Sequence, residues 1–430
     1  MMTAWEKYRE LERELAKLIG PIKFKRDINL KLGRISQLLE LLGNPHQAYR
    51  SIHVGGTSGK GSTAVFTANI LHEMGYKTGL HVSPHVQLFN ERYQINGRLA
   101  PTSKLLALLK EMQPAIKAVG ETSPYGSVTY FEVQVALAFF YFARENVDVA
   151  VVEVGLGGTY DATNVLMSNV AILTNVGLDH VEVLGDTVEK IAADKVGIVK
   201  SAGQQVVTAV SQPSVRKIVA ERCRSVGATM HLVTVEPDDT FQKVNEKCAK
   251  TAVSLLSNKP VPEKESWAIP LPARLELMQE QPDVILDGAH NPDKMAATAQ
   301  AVYAAHPDKQ PIIVFAAKAG KDVGDMLPVL LKKAKCFIAS EFVPKGLWQS
   351  TKAEGLANMA RQQQPNLDIM VESNPQTAVS QALALASPDD LVWITGSLYF
   401  AGDAREHWYP LAELAEQAEI GLSGSLTFEK

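Results

Sequence analysis

Residues 53–63 read His-Val-Gly-Gly-Thr-Ser-Gly-Lys-Gly-Ser-Thr, and this segment constrains the fold more than any other. His53 and Val54 close a short apolar run, a glycine-rich turn follows, and after Lys60 and two hydroxyls a helical pattern runs from Ala64 to Met74. Strand, glycine-rich turn, Lys-Gly-Ser and helix is the layout of a phosphate-binding loop. Glycines let consecutive backbone N–H groups point into one concavity, and the helix N-terminus adds partial positive charge. Lys60 can reach β/γ-phosphates, and a hydroxyl can serve Mg²⁺. The spacing departs from G-x-x-x-x-G-K-[ST] at one place, where Gly61 separates Lys60 from Ser62.

A loop of this kind needs a sheet around it, and 430 residues are enough for two or three domains. The net charge of −4 provides no global basic field for nucleic acid or membrane. Cys223, Cys248 and Cys336 are scattered without metal-ligand spacing, which suits a reducing compartment. The N-terminal stretch is charged and helix-like rather than the apolar core of a signal peptide, and no run reaches membrane-spanning length. A cytoplasmic protein is expected.

Helical patterns cover 4–19, Ile28–Leu42, Leu105–Val119, Phe131–Glu145 and, briefly, Ile191–Val199. They alternate with short apolar runs at Lys77–Val82, Val147–Val154 and Val170–Thr174. Alternation of this kind predicts a parallel, doubly wound α/β sheet. Residues 259–273 hold Pro260, Pro262, Pro270 and Pro272 in a mostly polar stretch, the composition of a linker. Beyond it, strands at Val284–Asp287, Ile312–Phe315, Ala334–Ala339, Asp368–Val371 and Leu391–Thr395, with a helix at Met295–Ala305, predict a second α/β unit. The expected domains are 1–272, which holds the phosphate loop, and 273–430.

Ligands of open α/β sheets gather beyond the carboxyl ends of the strands. Those ends supply the phosphate loop, Ser83-Pro84-His85, Glu153 with its following glycines, and Asp179-His180. A hydroxyl, a carboxylate and an imidazole in one place could join phosphates and waters around Mg²⁺, which prefers oxygen-rich, partly hydrated sites. Each of these residues alone has an ordinary structural role. Their convergence on a phosphate loop is what marks them.

Gly56-Thr-Ser-Gly-Lys-Gly-Ser62, Ser83-Pro-His85 with Phe89-Asn-Glu-Arg92, Glu153-Val-Gly-Leu-Gly-Gly158 with Asp161-Ala-Thr-Asn164, Gly177-Leu-Asp-His180 and Asp287-Gly-Ala-His-Asn-Pro292 follow one another along the chain. This ordered set resembles the bifunctional folylpolyglutamate synthase/dihydrofolate synthase branch of the Mur ligase superfamily, from about Leu32 to Phe400. The resemblance implies a Mur-ligase-type central domain with a parallel sheet and a C-terminal Rossmann-like α/β domain. It also implies an ATP-dependent amide ligase that turns a pterin or folate carboxylate into an acyl phosphate and joins it to L-glutamate. ATP, L-glutamate and dihydropteroate or folate would be its partners, and a monomer that binds neither nucleic acid nor membrane is expected.

The same resemblance assigns roles. Gly59, Lys60, Gly61, Ser62 and Thr63 would line the phosphates, with Lys60 on the γ-phosphate. Ser83, Glu153 and His180 would hold magnesium, and Lys195, when carbamylated, a second Mg²⁺. Asn245 would face adenine, while Arg274 and Asp287 would reach the nucleotide from the second domain. His290 would lie near the incoming glutamate, with Arg92 and Ser397 at glutamate-site positions. Thr129, Phe131, Asp161 and Ala162 would hold the pterin. Four departures stand out: Ser58 replaces an asparagine, Thr159-Tyr160 replaces Arg-Leu, Phe241 replaces a histidine, and the segment from Lys200 to Gln242 is short. The Thr159-Tyr160 change and the short segment motivate an alternative, a Mur-type ligase acting on a non-folate carboxylate.

Overall fold

The structure is a computed structural model that describes residues 2–19, 28–264, 266–267, 271–344 and 348–423. The first unit opens with helices α1 (Ala4–Ala16) and α2 (Ile28–Leu41), then β1 (Arg50–Gly55), α3 (Lys60–Glu73) and β2 (Thr78–His81). A small antiparallel pair, β3 (Gln94–Ile95) and β4 (Arg98–Leu99), precedes α4 (Thr102–Thr122), α5 (Tyr130–Arg144), β5 (Val149–Glu153) and β6 (Val170–Leu173). Helices α6 (Val181–Leu184) and α7 (Val188–Lys195), β7 (Gln205–Thr208), α8 (Pro213–Val226), β8 (Thr229–Leu232) and α9 (Phe241–Ser257) complete it.

Its sheet has the order β4-β3-β2-β5-β1-β6-β7-β8. β2, β5, β1, β6, β7 and β8 run parallel, and β3 is antiparallel to β2. β1 and β5 are buried over most or all of their length, as strands covered on both faces must be, which is why they read as continuous apolar runs. The segment between Lys200 and Gln242 is short but not bare of structure: it supplies β7, α8 and β8. Helix α3 is buried over most of its length, with α9 against it.

The second unit contains β9 (Glu276–Gln279), β10 (Asp283–Leu286), α10 (Pro292–Ala305), β11 (Pro311–Phe315), α11 (Leu327–Leu331), β12 (Cys336–Ala339), α12 (Ala353–Gln363), β13 (Asp368–Val371), α13 (Pro375–Leu385), β14 (Leu391–Thr395) and α14 (Leu398–Arg405); α15 (Leu411–Glu419) ends the described chain. The sheet order is β13-β12-β11-β14-β10-β9, parallel except for β9. Side chains alternate across it with period two: Ile313, Phe315, Leu391 and Trp393 enter the core under α10, α11 and α12, while Ile312, Val314, Val392 and Ile394 enter the core under α13 and α14. Burying each such side chain contributes about 1.5–3 kcal/mol.

Besides dividing in the linker, the two units exchange short pieces of chain. The first unit runs to His85, resumes at Phe89 and takes back the chain from Ala415; the second holds Val86–Leu88 and the chain from the linker to Leu414. The reason is local bonding. Glu416 accepts the Trp5 N–H, and Glu419 binds Lys7 and the Ser103 N–H. Gln87 donates to the Tyr409 carbonyl and accepts from Arg405. No described helix is long and apolar enough to cross a membrane.

Candidate active site

β1 delivers its C-terminus to the phosphate loop, and α3 starts at Lys60 with Gly59 as its left-handed N-cap, φ 79°. A Cβ on Gly59 would lie 2.5 Å from the Asn245 side-chain oxygen, so both conformation and contact require glycine there. The loop is braced from β6. Thr57 N–H donates to the Asn175 carbonyl at 3.0 Å and Ser58 N–H to Asn175 Oδ1 at 2.8 Å. The Thr57 hydroxyl bonds the Gly177 carbonyl and N–H, and Thr174 donates to the Ser58 carbonyl at 2.7 Å. These bonds fix the loop before any ligand arrives. Among the described residues Lys60 Nζ hydrogen-bonds only the Thr57 carbonyl, at 3.5 Å, and Ser62 and the buried Thr63 follow in the first turn of α3.

Gly61 explains the altered spacing. A Cβ there would sit 3.4 Å from Glu153 Oε2, so the bare backbone admits a carboxylate from the end of β5 against the loop. That oxygen accepts the Ser83 N–H at 2.9 Å. Lys195, 4% exposed, donates from Nζ to the Gly56 carbonyl at 2.9 Å. Gly59, Gly61, Glu153, Ser83, Lys195 and Asn245 are thus linked around one loop. His180 lies on the segment beyond β6, left-handed at φ 51°, and starts α6; its ring is 3.7–3.8 Å from Asp179 and Glu182. Among the described residues no three His, Cys, Asp or Glu side chains converge on a metal position. A Ser-Glu-His set needs only two such groups, and the strand-end carboxylate facing the phosphate loop is the donor type Mg²⁺ takes.

The acceptor-side residues form their own cluster. A Cβ on Gly155 would be 2.5 Å from the Phe131 ring and 3.0 Å from Asp161 Oδ2. Asp161 accepts from Leu156 N–H at 2.8 Å, Thr163 N–H at 3.0 Å and the Thr163 hydroxyl at 2.5 Å. Burial raises its pKa, and these hydrogen bonds pull the other way. Ala162 is buried at the start of the next turn. Thr129 is an exposed N-cap of α5 in a capping box with Glu132, whose carboxylate also binds Arg34. Where the resemblance expects arginine, Thr159 donates its hydroxyl to the Asp194 carbonyl at 2.8 Å. Arg92 is buried and donates from Nε to His85 Nδ1 at 2.9 Å.

In the second unit Asp287 follows β10. Its carboxylate accepts from Leu275 N–H, Ala289 N–H and the Thr298 hydroxyl. Burial raises its pKa and the Arg274 guanidinium opposes this. Arg274 itself is exposed. His290 donates from Nδ1 to the Gly288 carbonyl at 2.8 Å, because a carbonyl can only accept, and its Nε2 then accepts from Lys294 at 3.1 Å. Ser397 is the buried N-cap of α14. Sequence reasoning passed over Asn175, Thr174 and Lys294. Asn175 carries a readable signal, an amide immediately beyond a strand end; the other two are found only through their bonds.

A phosphate loop with a strand-end carboxylate at its mouth, followed along the chain by a second parallel α/β unit, suits a nucleotide-dependent ligase. The family models agree: residues 54–257 match the Mur ligase middle domain and residues 273–398 the Mur ligase glutamate ligase domain. The chain is 32% identical to the dihydrofolate synthase/folylpolyglutamate synthase of Bacillus subtilis, over 90% of this chain and 96% of that protein. Its fold superposes on Mycobacterium tuberculosis folylpolyglutamate synthase complexed with ADP at TM-score 0.84 and 27% identity, covering 94% of this chain and 99% of that one. Escherichia coli FolC in complex with DHPP and ADP gives TM-score 0.79 at 25% identity, with coverage of 94% and 98%. The chain belongs to the folylpolyglutamate synthase/dihydrofolate synthase family of Mur ligases. It is an ATP-dependent carbon–nitrogen ligase.

Proposed function

We propose that this ligase adds L-glutamate to the carboxylate of a pterin-bearing acid, dihydropteroate or a reduced folate, through an acyl phosphate. The observation that carries the reading is Glu153 seated against the bare backbone of Gly61 and tied to Ser83. It puts an acidic group at the mouth of a loop built for phosphates.

The acceptor carboxylate attacks the γ-phosphorus of ATP and ADP leaves. The glutamate amine then attacks the acyl carbon, phosphate leaves, and the amine proton passes to a base. The loop N–H groups and Lys60 offset charge developing on the transferred phosphoryl group. Holding the amine beside a short-lived acyl phosphate supplies much of the rest. Ser83, Glu153 and His180 would hold Mg²⁺, which when bound neutralises phosphate charge. Lys195 would add a second anionic ligand after carbamylation. Asn245, against Gly59, would contact adenine; Arg274 and Asp287 would serve the nucleotide from the second unit; Phe131, Asp161 and Ala162 would hold the pterin; and Arg92, His290 and Ser397 would serve the glutamate.

The test is phosphate release from ATP with L-glutamate and either dihydropteroate or tetrahydrofolate. Release above background with one or both is expected. Background release with both would discard the folate reading and leave a ligase for a different carboxylate.

A further inference from the structure

β1 carries a second polar group that the reaction as described leaves unused. His53 is fully buried, two residues before the phosphate loop. Its Nε2 lies 2.8 Å from the Thr163 hydroxyl oxygen. That hydroxyl has one proton, and it points at Asp161 Oδ1, 2.5 Å away. A carboxylate only accepts, so Thr163 donates to Asp161 and must accept from His53. His53 is therefore the Nε2–H tautomer, and its Nδ1 is a bare lone pair, in keeping with the lack of a hydrogen-bond partner for that atom among the described residues. A buried unpaired acceptor is less costly than a buried unpaired N–H.

The chain of bonds crosses from the strand that feeds the phosphate loop to the loop that carries Asp161 and Ala162. We propose that His53 is a positioning residue for the acceptor substrate: acting through Thr163, it aims the Asp161 carboxylate and sets the 155–164 loop against the strand of the phosphate loop. Burial, with a contribution from Lys200, drives the His53 pKa down from 6.5 to about 3. The ring is thus neutral at any working pH, and the direction of the bonds is fixed. The kinetic consequence rests on the reading that the pterin binds beside Phe131 and Asp161.

The experiment compares His53→Ala with His53→Gln, whose amide can still donate, and Thr163→Val with Thr163→Ser. In the whole enzyme, His53→Ala and Thr163→Val are expected to raise the KM for the acceptor by about tenfold, the effect of one lost buried hydrogen bond. The KM values for ATP and glutamate should stay within about twofold, and the Gln and Ser variants should recover most of the loss. Because the two residues act as one unit, the double variant should be no worse than either single one. Equal losses in the Gln and Ala variants, or a fall in kcat with every KM unchanged, would leave His53 as packing alone. Nitrogen NMR of the histidines in the native protein covers the case in which a variant does not fold. A neutral Nε2–H signal for His53, constant from about pH 5 to about pH 8, supports the proposal; an Nδ1–H signal or titration in that range overturns it. Phe131→Ala separates this proposal from the reading beneath it. An acceptor KM changed by Phe131→Ala and untouched by His53→Ala sinks the relay alone. The reverse keeps the relay and moves the pterin.

Discussion

Glu153 accepts the Ser83 N–H through the same carboxylate oxygen that lies nearest Gly61. One oxygen thus joins the ends of two parallel strands to the mouth of the phosphate loop. Glu153→Gln keeps an acceptor for Ser83 and loses the charge. The fold should hold, while the Mg²⁺ concentration for half-maximal turnover should rise about 10- to 100-fold. A magnesium titration of phosphate release checks this, and an unchanged midpoint removes Glu153 from the metal site.

Gly61→Ala should separate stability from activity. The position is helical, and the Glu153 carboxylate oxygens are the nearest groups to a new Cβ among the described residues, at 3.4–3.5 Å. Alanine gains up to about 1 kcal/mol in a helix relative to glycine. Thermal stability should stay level or rise, since a methyl 3.4–3.5 Å from the carboxylate is in ordinary van der Waals contact, while turnover falls because the methyl covers the loop backbone that faces the carboxylate. Full activity in a stable variant contradicts that reading of the spacing.

Lys60→Ala should lower kcat by at least about 100-fold with an unchanged circular dichroism spectrum, since among the described residues the Lys60 ammonium makes no hydrogen bond closer than its 3.5 Å contact with Thr57. Retained turnover would refute the phosphate-loop assignment.

Acid should destabilise the fold in part through histidine. Burial drives both His53 and His81 from 6.5 down to about 3. Between those values the unfolded chain binds more protons than the folded one. Their contribution is therefore complete above about pH 6.5 and is lost as pH falls toward 3, on the order of a few kcal/mol. His81→Gln removes one of the two. Urea unfolding at successive pH values should show a shallower fall below pH 6.5 in the variant, and parallel curves would contradict the assignment.

Arg405 is wholly buried and grips Glu276 through Nε and Nη2, at 2.7–3.1 Å. Arg405→Met strands a carboxylate and should cost about 3–5 kcal/mol. Arg405→Met with Glu276→Leu should cost less, because no charge is left uncompensated. Denaturant unfolding of both variants decides it.

The two parallel sheets were legible because their strands are covered on both faces and read as unbroken β-branched runs, such as Val-Ala-Val-Val-Glu at 149–153. β3 and β4, two residues each, carry no period to detect. β8 is half-exposed and reads as surface. Lys60 and Glu153 stood out because charge at a glycine-flanked strand end is unusual, whereas Asp161 was marked only by the resemblance. His53 did not stand out: a histidine inside an apolar strand reads as core until its partner, 110 residues away, is in place. Thr129 was named only as a pterin-side position, and the structure adds that its side chain caps α5.

The exchange of Val86–Leu88 for the stretch after Ala415 bears on how the protein can be dissected. The chain passes from one unit to the other at 85/86, at 88/89, through the linker and at 414/415. Cleavage in the proline-rich stretch 259–273 would produce two fragments, and neither would own the whole of either unit. Each fragment carries a piece of the other's core, so the halves are complementing partners rather than separable modules. Co-expressed, they should rebuild an active enzyme; expressed singly, each should be poorly soluble.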